Sequence, residues 1–324
     1  MKTENLSVGY EHPILTDISI YCEKGELIAL IGNNGSGKST LLRTLSGLQN
    51  KLSGKVYIND RDIQQLHVKE RAKLISFASA NTIISNISVF EAVSLGRYPY
   101  TGVFGKLSSS DVSIINDVIE KTDLNKLVKK KLYEISDGER QKVMIARALT
   151  QNADLIILDE PTAYLDIQNR YEIMILLKKI TKNENKCILF SSHDLNIVLQ
   201  LSHKILLIND KEIIQGAPED IIINKTIEKL LDFENIEFNY QTGDFTRTRN
   251  KTRDIGISGN GLAFEWTVKA LEREGINCIC NNFDIDYVII EESEKDLYKW
   301  VYHNLTNEYV FNTIYDLIKH IINN

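Results

Sequence analysis

The nine residues Gly32-Asn33-Asn34-Gly35-Ser36-Gly37-Lys38-Ser39-Thr40 constrain this chain more than any other stretch. They fit the pattern G-x-x-x-x-G-K-[ST], with Gly32, Gly37, Lys38 and Ser39 at the fixed positions. The apolar run Leu27-Ile28-Ala29-Leu30-Ile31 leads in as a strand, and Leu41-Leu42-Arg43-Thr44-Leu45 leads out with a helical pattern. A glycine-rich turn in that setting lets backbone N–H groups wrap a polyphosphate in front of the positive end of the helix. Lys38 then reaches the β- and γ-phosphates, and the Ser39 hydroxyl ligates Mg²⁺. The expected ligand is a nucleoside triphosphate.

A chain of 324 residues exceeds one typical core, so one large domain and a smaller one are expected. Its apolar fraction of 43% and charged fraction of 25% are those of a soluble globular protein. The net charge of −6 leaves no general electrostatic footprint for nucleic acid. Cys22, Cys187, Cys278 and Cys280 are too scattered for a disulfide scaffold and suit a reducing compartment. Met1-Lys2-Thr3-Glu4-Asn5 has no signal-peptide character, and no run approaches the ~18 apolar residues of a membrane span. A cytosolic protein is expected unless a membrane partner recruits it.

Residues 1–30 read as strands joined by turns, the second feeding the phosphate loop. Gly54–Ile58 reads as a strand entering a turn at Asn59-Asp60, and residues 111–131 as a helix ending in the solvated Lys129-Lys130-Lys131. Leu155–Leu158, Cys187–Phe190 and Ile205–Ile208 are short, continuously apolar runs separated by helical segments. That pattern predicts strands of a parallel sheet covered on both faces, hence an α/β fold. The texture changes near residues 240–253, where Gln241–Asp244 reads as a turn. Arg247, Arg249, Lys251 and Arg253 then alternate with polar residues as a linker or an exposed edge strand. Residues 254–324 predict strand, helix, strand, strand, helix; Gly256, Gly259 and Gly261 precede the helix with a spacing that fits a tight βα turn and not the dinucleotide fingerprint.

The phosphate loop alone does not choose among nucleotide-using proteins. Ile135-Ser136-Asp137-Gly138-Glu139-Arg140-Gln141 reads as a helix start, with Ser136 as N-cap and Glu139 completing a capping box. Leu155-Ile156-Ile157-Leu158-Asp159-Glu160 is a buried strand that delivers two adjacent carboxylates at its C-terminal end, the edge where ligands of open α/β sheets bind. Pro161-Thr162-Ala163-Tyr164-Leu165-Asp166 follows, then Phe190-Ser191-Ser192-His193-Asp194 past another apolar strand. Near the start lies Leu6-Ser7-Val8-Gly9-Tyr10.

Taken in order, these segments resemble the motifs of ATP-binding cassette (ABC) ATPase subunits across residues 1–235. The resemblance implies a P-loop NTPase of ABC type over residues 1–240: a RecA-like core with an antiparallel β subdomain and an α-helical subdomain. Residues 241–324 form a small accessory α/β domain of unassigned role. It further implies that Ser136, Asp137, Gly138 and Glu139 belong to a signature segment facing ATP bound by a second subunit. Asp159 would hold Mg²⁺, Glu160 would act as general base on the attacking water, His193 would contact the γ-phosphate, Asp166 would contact the partner subunit, and Tyr10 would stack on adenine. Two ATP molecules would lie in a head-to-tail homodimer.

Val89–Pro99 resembles the stretch that follows the Q-loop in importers of iron–siderophore, haem and cobalamin. That branch implies separate membrane permease subunits docking near residues 80–100, an external substrate-binding protein, and a peripheral place on the cytoplasmic face of the plasma membrane. Two departures stand out. Ala80 occupies the place of the Q-loop glutamine, with Asn81 one residue on, and Asp137 replaces the second glycine of the signature, adding negative charge near a phosphate site. Lys38, Asp159, Glu160 and His193 are all present, so active hydrolysis is expected. The alternatives are a soluble ABC-type ATPase clamp acting on nucleic acid or ribosomes, or an ABC transporter of another substrate regulated by ligand binding to the C-terminal domain, a regulation compatible with the leading reading. The transported substrate is not encoded in these motifs.

Overall fold

A computed structural model describes the chain except for residues 80–83, 103, 231–235, 241–242, 248–251, 294–296, 305 and 324. The chain divides into two compact units: Met1–Asp232 with Phe238–Asp244, and Phe233–Glu237 with Phe245–Asn324.

The first unit begins with β1 (Lys2–Gly9), β2 (Pro13–Ile18), β3 (Leu27–Ile31), α1 (Lys38–Leu45), β4 (Ser53–Ile58), β5 (Arg61–Asp62), α2 (Val68–Leu74) and β6 (Ile75–Ser79). The helices α3 (Val89–Ser94), α4 (Ser109–Lys121) and α5 (Asp137–Thr150) follow, with no intervening strand among the described residues. Then come β7 (Leu155–Asp159), α6 (Ile167–Glu184), β8 (Cys187–Ser191), α7 (Leu195–Leu201), β9 (Lys204–Asn209), β10 (Glu212–Gly216) and α8 (Pro218–Ile223). β11 (Ile236–Asn239) and β12 (Asp244–Arg247) pair as a two-stranded sheet.

Six strands form the central sheet in the order β10-β9-β3-β8-β7-β6. All neighbours are parallel except β10, which closes one edge antiparallel to β9. Every residue of β3, β7 and β8 is buried, as continuous apolar runs require when both faces are covered. Alternation splits β3 between two cores. Leu27, Ala29 and Ile31 pack with α3 to α6, and Ile28 and Leu30 pack with α1, β1, β2 and β4. The antiparallel sheet β2-β1-β4-β5 supplies the second cover. The α/β core, the antiparallel β subdomain and the helical subdomain are thus all present.

Three details differ from the sequence reading. The phosphate loop follows the third strand, because residues 1–30 form β1, β2 and β3. The helix expected over 111–131 stops at Lys121, where the Thr122 hydroxyl donates back to the Val118 carbonyl (2.7 Å) and Asp123 adopts a left-handed φ of 53°. A short 3₁₀ turn (Asn125–Leu127) comes next, and Lys129 and Lys130 are exposed as expected. The edge strand β10 carried no apolar signal beyond Ile213 and Ile214.

The second unit continues with β13 (Arg253–Ser258), α9 (Gly261–Arg273), β14 (Ile276–Cys280), β15 (Tyr287–Ser293), β16 (Leu297–His303), β17 (Glu308–Phe311) and α10 (Ile314–Asn323). Its sheet has the order β14-β13-β15-β16-β17, with β13 parallel to both neighbours and the remaining pairs antiparallel. Its own core gathers Ile255, Ile257, Leu271, Val288, Trp300 and Leu317. Among the described residues five strands are present where three are expected, and one of the additional two, β17, is only four residues long. Arg253 is neither linker nor edge: β13 is central, and the Arg253 guanidinium pairs with the Asp286 carboxylate and donates to the Tyr302 hydroxyl (3.0 Å). Gly256 is required by close approach, because a Cβ there would lie 1.7 Å from the Asn282 carbonyl oxygen.

Candidate nucleotide site

The phosphate loop spans the end of β3 and the start of α1. Gly37 caps the helix with φ 98°, and a Cβ there would lie 2.8 Å from Ile14 Cγ2, so the position demands glycine on two counts. Gly32 is hemmed in too, since its Cβ would come within 2.8 Å of Ser36 Oγ. Lys38 is buried and its ammonium donates to the carbonyls of Gly32 (2.8 Å) and Asn33 (3.0 Å), which holds Nζ inside the loop. Burial pushes its pKa down, opposed by the nearby carboxylates of Glu160 and Asp159. Ser36 Oγ is buried without a hydrogen-bond partner, as suits a loop whose polar groups await an anionic ligand. Asn33, Asn34, Gly35 and Ser39 are exposed, Thr40 is buried beneath them, and Tyr10, 66% exposed, stands free at the end of β1.

β7 delivers Asp159 buried at its last residue and Glu160 just beyond, the latter in the left-handed region with φ 54°. The ends of β7 and β8 lie side by side, and Ser191 bridges the two acids. Its hydroxyl donates to Asp159 Oδ1 (2.7 Å) and accepts the Glu160 backbone N–H (2.8 Å). Glu160 Oε1 meets His193 Nε2 at 2.7 Å, so two residues separated by 33 positions form one acid–base pair. The hydroxyl of Ser39 and the carboxylate of Asp159 are hard oxygen donors of the kind Mg²⁺ takes, with Asp159 Oδ2 left clear of the Ser191 bond. Among the described residues no cluster of three or more His, Cys, Asp or Glu side chains is placed to hold a metal.

The signature segment is a capped helix start. Ser136 Oγ accepts from the Glu139 N–H (3.2 Å) while Glu139 Oε2 accepts from the Ser136 N–H (2.8 Å), giving both halves of the capping box. The charge of Asp137 is met within its own helix by Arg140, which also donates to the Leu132 carbonyl (3.1 Å). The added negative charge expected from Asp137 is therefore largely offset. Gly138 serves packing as well, since a Cβ there would lie 3.2 Å from Leu165 Cδ2 in the loop between β7 and α6. Asp166 N-caps α6 by accepting from the Asn169 N–H (2.8 Å), a bond that draws its pKa down. Ala80 and Asn81, the expected Q-loop departure, lie outside the described residues; the preceding Ser79 is in register with Asp159.

Sequence reasoning missed Ser191 and Gln141 as site residues. Gln141 is buried on α5 and its amide donates to the carbonyls of Pro161 (3.2 Å) and Glu160 (3.4 Å), tying the signature helix to the acidic strand end. The only local clue to Ser191 is a hydroxyl at the end of the apolar run Cys187–Phe190.

Residues 15–163 match the ABC transporter family, and residues 251–322 match the iron ABC transporter C-terminal domain. An uncharacterized ABC transporter ATP-binding protein of Methanocaldococcus jannaschii is 37% identical over 79% of this chain and 90% of its own length. The iron(3+)-hydroxamate import ATP-binding protein of Bacillus subtilis is 36% identical over 72% of this chain and 88% of its own. The ferric enterobactin transport ATP-binding protein of Escherichia coli is 33% identical over 71% and 86%. Among solved structures, an inward-facing ABC transporter of metal-chelate type superposes with a TM-score of 0.62 at 28% identity, covering 76% of this chain and 95% of that one. A dimeric ATP-binding cassette in a post-hydrolysis state with ADP and Pi gives 0.60 at 27%, covering 67% and 98%. With these likenesses added to its phosphate loop and paired acids, the chain belongs to the ABC transporter family as an ATP-binding subunit, and it is an ATPase.

Proposed function

We propose that this subunit powers import of an iron chelate through separate membrane permease subunits. The match of residues 251–322 to the iron ABC transporter C-terminal domain, together with relatives that import ferric hydroxamate and ferric enterobactin, supports that cargo class. Two copies close head to tail on two ATP molecules, each phosphate loop facing Ser136 and Gly138 of the other copy. Exposed Leu95 and Tyr98 offer apolar contact for a permease in the 80–100 segment, whereas Arg97 beside them is buried and structural. The subunit would then sit on the cytoplasmic face of the membrane, with an external binding protein delivering the chelate.

In the catalytic reading, Lys38 and the loop amides bind the β- and γ-phosphates, and Tyr10 stacks on the adenine. Ser39 and Asp159 would hold a Mg²⁺ ion, which would supply charge neutralisation at the phosphates. Glu160 accepts the proton of the attacking water, and His193, hydrogen-bonded to Glu160, orients that carboxylate and reaches the γ-phosphate. The single observation that carries this reading is the Glu160–His193 contact at 2.7 Å beside the buried Asp159. Glu160→Gln should preserve ATP binding, lower turnover by ~10²–10⁴ and accumulate an ATP-bound dimer. Unchanged turnover would remove Glu160 from the role of base. Co-purification with a multi-span permease and iron-chelate uptake in vesicles test the transport assignment.

A further inference from the structure

The end of β8 places a hydroxyl where most positions of a covered parallel strand carry apolar side chains. Ser191 is fully buried, yet neither of its hydrogen-bond partners belongs to ordinary sheet pairing. Its proton goes to Asp159 Oδ1 at 2.7 Å, which fixes the carboxylate rotamer. Its lone pair receives the Glu160 N–H at 2.8 Å, at the residue where the chain turns into the left-handed region with φ 54°. A glutamate in that conformation is unfavourable by itself and persists only where its surroundings hold it. One hydroxyl therefore fixes the side chain of one acid and the backbone of the next.

We propose that Ser191 is a positioning residue of the ATPase, orienting Asp159 toward the metal and Glu160 toward the attacking water through a single hydrogen-bonded chain. The proposal rests on the roles read above for those two acids. Removing the hydroxyl leaves the Glu160 N–H without its acceptor and frees the Asp159 carboxylate to rotate. ATP held by the phosphate loop is not touched by either change, so the effect separates metal binding and turnover from nucleotide affinity.

The test uses the full chain and compares Ser191→Thr with Ser191→Val, which match in shape and differ in the hydroxyl, with Ser191→Ala as a second hydroxyl-free variant. Mn²⁺ is titrated by EPR into the ATP complex in the Glu160→Gln background, ATP affinity is measured in EDTA, and kcat and KM are measured with Glu160 intact. The valine and alanine variants should weaken Mn²⁺ binding and lower kcat by ~10–100-fold while ATP affinity in EDTA stays within about 2-fold, and threonine should restore both. Valine and threonine variants that match each other in Mn²⁺ affinity and kcat would overturn the proposal. So would failure of both hydroxyl-free variants to fold without nucleotide, which would assign Ser191 to stability alone. Asp159→Asn serves as the reference: if it binds Mn²⁺ as the parent does, the metal role of Asp159 itself fails, and Ser191 falls with it. If it weakens Mn²⁺ and the valine variant does not, only the Ser191 proposal fails.

Discussion

Asp111→Asn should destabilise the ATP-binding unit by about 3 kcal/mol, toward the low end of what breaking a buried ion pair costs. Arg97 and Asp111 are 5% and 6% exposed, with Arg97 Nε 2.8 Å from Asp111 Oδ1. The substitution leaves the guanidinium buried without a counter-charge. Two supports remain: the Thr150 carbonyl accepts from Arg97 Nη1 at 3.1 Å, and the Tyr100 ring centroid lies 3.8 Å from the guanidinium carbon. Those contacts argue for the lower figure. Backbone relief is closed off, because Gly96 is wedged against α5 with its Cβ position 2.3 Å from the Arg147 carbonyl oxygen. In urea titrations followed by circular dichroism the loss appears as a lower midpoint, and in thermal melts as a fall of roughly 6–12 °C for a unit of this size. The difference between wild type and variant should also depend on pH. Hydrogen bonds from the Ser108 hydroxyl and backbone, and then from Arg97, pull the Asp111 carboxyl from 3.8 to about 2. A depressed carboxyl stabilises the fold fully above its unfolded pKa and ceases to as pH falls through the folded one, so the wild-type advantage should shrink between pH 4 and about 2. A loss below about 1 kcal/mol at pH 7 would show the pair to be solvent-screened and refute the argument.

Two further outcomes follow from glycine positions. Gly37→Ala adds a Cβ at φ 98° and 2.8 Å from Ile14, and should weaken ATP binding by at least ~10-fold, about 1.4 kcal/mol, in calorimetric titration; unchanged affinity would mean that the loop adapts. Gly256→Ala drives a Cβ into the Asn282 carbonyl and should release hydrogen-exchange protection throughout β13 to α10, while basal ATP turnover stays within about 2-fold because every residue assigned to the site lies in the first unit. Loss of turnover in that variant would show the second unit to be required for the ATPase.

The parts of the site legible in sequence are those in which neighbouring residues create the geometry. The phosphate loop is one turn, the signature is one capped helix start, and Asp159-Glu160 is one strand end, so each motif carries its own structure. Ser191 was hidden because its meaning depends on which strand lies beside β8, and pairing with β7 is set by the whole sheet. Arg97 shows the same limit: in the sequence it is only part of the Val89–Pro99 resemblance, and its burial against Asp111, 14 residues on, appears only in the fold. Asp137 reads as added negative charge until Arg140, three residues along the same helix, is seen to meet it. The helix over 111–131 was overextended because apolar spacing continues through the turn, whereas the Thr122 back-bond and the left-handed Asp123 end it. β10 and β17 are short edge strands, and strands of that kind carry too few residues for a period-2 pattern.

The central claim is that each ATP is held by one copy and completed by the other. Lys38→Ala disables the phosphate loop and leaves the signature intact, whereas Ser136→Arg does the reverse, and each alone should be inactive in steady-state ATP turnover. Mixed in equal amounts, half of the dimers would pair the two variants and contain one intact composite site, so turnover should recover to about a quarter of the wild-type level per site. A mixture no more active than its components would contradict a site shared between two copies.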